Sequence, residues 1–146
     1  MTAVHIVLGI AVVAFNVAAG AYGAWGWWRH ADTPGFWPLL RAAQALVVLE
    51  AVLGGVLLLE GKDLPPLHLV YGLTPLAVAF FAEQLRVVSA QAVLDQRGLA
   101  GRDAVAALPE AEQRELVRAI LRREVGVMAS SALVVALLGV RASEWI

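Results

Sequence analysis

Apolar and polar positions in this chain segregate into long blocks. From Met1 to Trp28 there is no acidic or basic side chain except His5. Three further apolar stretches follow, over about 37–59, 65–86 and 120–140. A helix needs about 20 predominantly apolar residues to cross a bilayer core. The pattern therefore predicts an all-α integral membrane four-helix bundle, a single domain over residues 1–146, with spans at about 4–28, 37–59, 65–86 and 120–140. The second span is interrupted by Arg41 and Glu50 and closed by the polar turn Glu60-Gly61-Lys62-Asp63. Asp63 is the expected N-cap of the third span, with Pro65 and Pro66 suited to its first turn. A cleaved signal peptide would need a basic n-region. Nothing before Arg29 is basic, so the first run is expected to stay as a helix.

Residues 87–119 differ in kind. They hold much of the charge, yet Leu116, Val117, Ile120 and Leu121 keep helical spacing, and Pro109 with Glu110 and Glu112 marks a helix start. The third and fourth helices are expected to run past the membrane surface and join near residues 98–104 as one long hairpin. An amphipathic helix lying flat on the bilayer is the alternative.

Composition agrees with membrane insertion: 60% of the 146 residues are hydrophobic, more than a small soluble domain can bury. The absence of cysteine excludes disulfides, iron–sulfur clusters and thiol chemistry. The distribution of charge is more telling than its total of -1. Arg29, Arg41, Arg86, Arg97, Arg102, Arg114, Arg118, Arg122 and Arg123 fall on one side of the predicted membrane, and only Lys62 and Arg141 on the other. The positive-inside rule then places both termini outside the cytoplasm and the hairpin within it. Trp25, Trp27, Trp28, Phe36 and Trp37 form the expected inner aromatic belt, with Trp145 at the outer end.

Ionisable residues at membrane depth are costly and normally face the bundle interior. At 1.5 Å per residue they sort into layers. His5 and His68 fall near the outer surface. Asn16 and Glu50 fall near mid-membrane, as do Ser130 and Ser131. Arg41, Gln44, Glu83 and Arg86 fall near the cytoplasmic face. His5, Gly9, Asn16, Gly20, Gly23 and Trp27 form one helical stripe, and His68, Tyr71, Pro75, Ala79, Glu83 and Arg86 another. The glycine stripe suits close helix packing.

Three chemistries are open. His5 and His68, with Tyr71 nearby, suit a b-type haem or a metal ion held between facing helices. Their other reading is interfacial histidines bonded to water, headgroups or backbone. Glu50 suits proton or lipid handling, or else a structural hydrogen bond to Asn16 or to a carbonyl of the third span. The Arg41/Gln44/Glu83/Arg86 layer suits an ion-paired lock or an anionic headgroup site. Nucleic acid is not an expected partner, since Glu110, Glu112, Glu115 and Glu124 offset the arginines of the fourth helix. No phosphate loop, nucleophile elbow, paired zinc histidines or internal repeat is present.

The run Leu67-His68-Leu69-Val70-Tyr71-Gly72-Leu73-Thr74-Pro75-Leu76, followed by Phe80-Phe81-Ala82-Glu83-Gln84-Leu85-Arg86, resembles small four-span integral membrane proteins of actinobacteria. That resemblance implies topology and a bacterial plasma membrane, and no activity. The leading expectation is a non-enzymatic protein that associates with a protein partner or a second copy in the bilayer. An accessory subunit or assembly factor of a larger complex fits that role, meeting its partner through the hairpin and the glycine face of the first helix. The alternative is a haem b or metal-binding electron-transfer protein using His5 and His68, and a third is a protein centred on Glu50.

Overall fold

The computed structural model describes residues 2–61 and 65–143. Asp63 as a cap, Lys62 and the Trp145 anchor lie outside the described residues. Five helices are present among those described: α1 Thr2–Arg29, α2 Phe36–Leu59, α3 Pro66–Gln96, the short α4 Gly101–Ala106, and α5 Glu110–Ser143. The four long ones are each apolar and long enough to cross a bilayer. Their outward residues include Leu49, Val52, Phe80, Phe81, Leu85 and Leu137, all more than half exposed. A continuous coat of large apolar side chains is what lipid contact requires and water penalises. The protein is an all-α, multi-pass membrane four-helix bundle.

The helix ends follow local chemistry. α1 stops because His30 adopts a left-handed φ of 54° and the Ala31 N–H reaches back to the Gly26 carbonyl at 3.0 Å, a Schellman closure with histidine in glycine's usual place. α3 closes the same way with Gly98 at φ 65° and Leu99 N–H on the Leu94 carbonyl. It begins with Pro66 in its first turn, where a missing N–H costs nothing. The linkage between α3 and α5 is longer than the 98–104 expected: it spans 97–109 and contains α4.

α5 is the axis of the bundle, packed along both α1 and α3, while α2 packs on α1 and barely touches α3. Buried Ala19, Phe36, Leu40, Ala82, Val125, Met128, Ala129 and Ala132 form the main core. Val12, Val47 and Val135 form a second cluster. The glycine face of α1, expected to meet a partner, is spent inside the bundle. Gly20 lies against Leu133 and the Ala129 carbonyl, and Gly23 against Phe36 and Ala129.

Contacts fix the registers. Gly23 faces Phe36, Val12 packs with Val47, Gly9 faces Glu50 and His5 faces Gly54. Each step along α1 is matched by an equal step back along α2. Between α3 and α5, His68 meets Ala142 and Arg86 meets Glu124, again in one continuous antiparallel register.

Candidate cofactor site

Above the valine cluster the four helices separate around a cavity of about 520 Å³. His5 enters from α1, Glu50 from α2, and His68 and Tyr71 from α3; Gly9, Gly54, Gly55 and Gly72 leave room between apolar walls. A Cβ on Gly55 or Gly72 would meet nothing within 4 Å.

The two imidazoles share this space with ring centroids 5.9 Å apart and planes at 70°. His68 Nδ1 lies 3.1 Å from the Ala142 carbonyl oxygen. His5 Nδ1 lies 3.1 Å from Glu50 Oε1, but out of line for a hydrogen bond. The His5 Nδ1 and Glu50 Oε2 are thus buried without a hydrogen-bond partner among the described residues. Buried polar atoms left this way are uncommon and call for an explanation.

Placing Glu50 beside His5 departs from the layers drawn along each helix separately. Depth counted from a helix end puts Glu50 with Asn16. The α1–α2 register instead sets Glu50 level with Gly9, one turn from His5. Asn16 is seven residues further along α1, about 10 Å away. Its amide donates to the Val12 carbonyl of its own helix at 2.8 Å and is buried. No bond joins it to Glu50. Ser130 and Ser131 likewise bond within α5, to the Gly126 and Met128 carbonyls.

The third layer assembles as a network at the far end of the bundle. Arg41 of α2 pairs with Glu83 of α3, Gln44 Nε2 donates to the same carboxylate at 3.0 Å, and Arg86 Nε lies 3.2 Å from it. Two members were not expected. Glu124 of α5 lies 3.8 Å from Arg86, and the Trp37 ring sits beneath both guanidiniums, 5.8 Å from Arg41 and 5.3 Å from Arg86. Glu124 reads in sequence as one more charge offsetting the arginines, and Trp37 as a belt aromatic. Glu124 reaches Arg86 through the α3–α5 register, and Trp37 reaches Arg86 where α2 comes beside α3.

Among the described residues no three His, Cys, Asp or Glu side chains group as ligands for a bare metal ion. No known family, curated protein or solved structure shows significant similarity to this chain.

Proposed function

We propose that the protein binds haem b in the cavity between His5 and His68, each supplying an axial nitrogen. The observation that carries this reading is the pairing of the two imidazoles. Metal–imidazole bonds are about 2.0–2.1 Å, so two rings on either side of one iron stand about 6 Å apart by centroid once their own radii are added. The observed separation is 5.9 Å. Each Nδ1 has an oxygen beside it, a carboxylate for His5 and a backbone carbonyl for His68. For His68, whose Nδ1 donates to that carbonyl, this is the outer-shell partner that ligating histidines keep, leaving Nε2 for the metal. A tetrapyrrole brings its own four equatorial nitrogens and asks the protein for only two ligands, which suits a site without a third. The cavity volume lies within the range of cofactor sites, and its walls are apolar with few polar groups.

The chain has three histidines. The third, His30, stands at the other end of α1, more than about 36 Å along the helix from His5. The reading is therefore of one haem near one surface, exchanging electrons or haem with a protein partner there, rather than a relay across the membrane. The nine-to-two bias of basic residues supports a bacterial plasma membrane protein with this surface outside and the α3–α5 linkage in the cytoplasm. Topology reporters placed within 97–109 and after Ile146 should report opposite sides, with the linkage inside; the reverse result overturns the orientation.

The visible spectrum of protein purified from haem-supplied cells tests the haem itself. A Soret band with reduced α and β bands is expected at one haem per chain. No band, and no uptake on titration with hemin, refutes the proposal.

A further inference from the structure

A second cavity, of about 840 Å³, lies at the arginine-rich end of the bundle. It is walled by the turn after α1 and by α5, and its lining includes Trp27, Trp37, Arg118, Arg122, Asp32 and Glu115. It shares no lining residue with the upper cavity and meets the Glu83 network only at Trp37.

The charges in this cavity are unequal in what they already hold. Glu115 is taken by Arg97 at 2.9 Å. On the same helix, Arg114 is paired with Glu110 at 2.9 Å. Arg118 makes no ion pair or hydrogen bond among the described residues. Arg122 spends only its Nε, which donates to the Trp27 carbonyl at 3.1 Å, and its guanidinium lies 5.1 Å from the Trp27 ring centre. That contact holds the fork in place and leaves both terminal nitrogens as donors. The two guanidiniums stand one turn apart on α5, about 6 Å along the axis. Asp32, exposed on the loop, offsets one of these two charges and leaves a positive surplus.

We infer that this cavity binds the phosphodiester headgroup of a membrane glycerophospholipid, with Arg118 and Arg122 on the phosphate oxygens. Guanidinium forks match phosphate geometry, and basic pockets between membrane helices are suited to lipid headgroups. The tryptophans set the depth, because Trp concentrates at the membrane–water boundary where headgroups sit. Leu121 and Val125 continue the wall along α5 and give the upper acyl chain an apolar surface. The source of the phosphate is therefore the bilayer leaflet at this end.

Native mass spectrometry of the intact protein, delipidated in detergent and titrated with defined lipids, tests this. Phosphatidylglycerol and phosphatidylethanolamine are expected to be retained one per chain, and diacylglycerol, which has no phosphate, is not. Arg118→Gln and Arg122→Gln should each weaken retention about ten-fold, the equivalent of losing one charge-assisted hydrogen bond, while Arg114→Gln leaves it unchanged. Raised salt should weaken retention by the wild-type protein too, which keeps the test independent of how the variants fold. Equal retention of diacylglycerol, or lipid retention unmoved by salt and by both substitutions, overturns the inference. Binding of inorganic phosphate without retention of any lipid overturns the lipid source.

Discussion

His68 and Ala142 are joined across the open end of the bundle, the imidazole Nδ1 lying 3.1 Å from the main-chain carbonyl oxygen. The last carbonyls of a helix have no donor within it, so His68 completes the end of α5 and is itself held in one orientation. With Nδ1 as the donor, Nε2 carries the free lone pair. In the haem reading, His68→Ala removes one axial ligand and His5→Ala the other. Each variant should lose the six-coordinate low-spin spectrum, and added imidazole should restore it, since the cavity remains. A wild-type spectrum in either variant would remove that residue from the ligand pair.

Glu50 stands 3.1 Å from the His5 ring and acts on any bound iron only through that ring. A carboxylate beside a ligating imidazole makes it a stronger donor and favours the oxidised metal. Glu50→Gln should therefore bind hemin about 10–100-fold more weakly and shift the midpoint potential upward in a redox titration. An unchanged potential would leave Glu50 a packing residue.

The four spans were legible because lipid imposes them: a charge-poor run of this length has few other uses. The Arg41, Gln44, Glu83 and Arg86 layer was legible too, since all four lie near one surface however the helices slide. The partner of Glu50 was not. Its depth depends on how α1 and α2 align, and Gly9 and Gly54, which let the chains approach there, carry no directional signal. Asn16 looked like a partner by depth alone, yet it satisfies its amide on Val12. Ala142 was beyond reach of sequence reasoning, because its contribution to the site is a backbone carbonyl.

Glu83 is the main link between two helices that otherwise hardly meet. Its carboxylate accepts from Arg41 and Gln44 of α2 and forms an ion pair with Arg86 of α3. Glu83→Gln should lower stability by about 1–2 kcal/mol, less than a fully buried network would lose, since Arg41 is 48% exposed and partly screened. Thermal unfolding in detergent reads the loss, and a cycle with Arg41→Gln should give a coupling of about 1 kcal/mol that shrinks in salt. Strict additivity of the two substitutions would mean the pair holds nothing together.

The glycines separate packing from cavity. Gly23 lies where α1 presses on α2 and α5. A Cβ there would stand 2.8 Å from the Ala129 Cβ and closer still to the Phe36 ring, and both neighbours are fully buried. Neither can move aside, so Gly23→Ala should destabilise the protein by about 1–3 kcal/mol, as overpacked cores do. Gly55 presents the opposite case. It lines the upper cavity with open space beside it, and a non-glycine residue there gains up to about 1 kcal/mol of helix propensity. Gly55→Leu should thus fold at least as well as the wild type while its side chain occupies the volume assigned to the cofactor. The expected outcome is a raised or unchanged melting temperature together with reduced hemin uptake, two readouts that a general folding defect cannot move in opposite directions. Full uptake by Gly55→Leu would place the ligand outside this cavity, and wild-type stability in Gly23→Ala would mean the α1 contact is looser than its geometry implies.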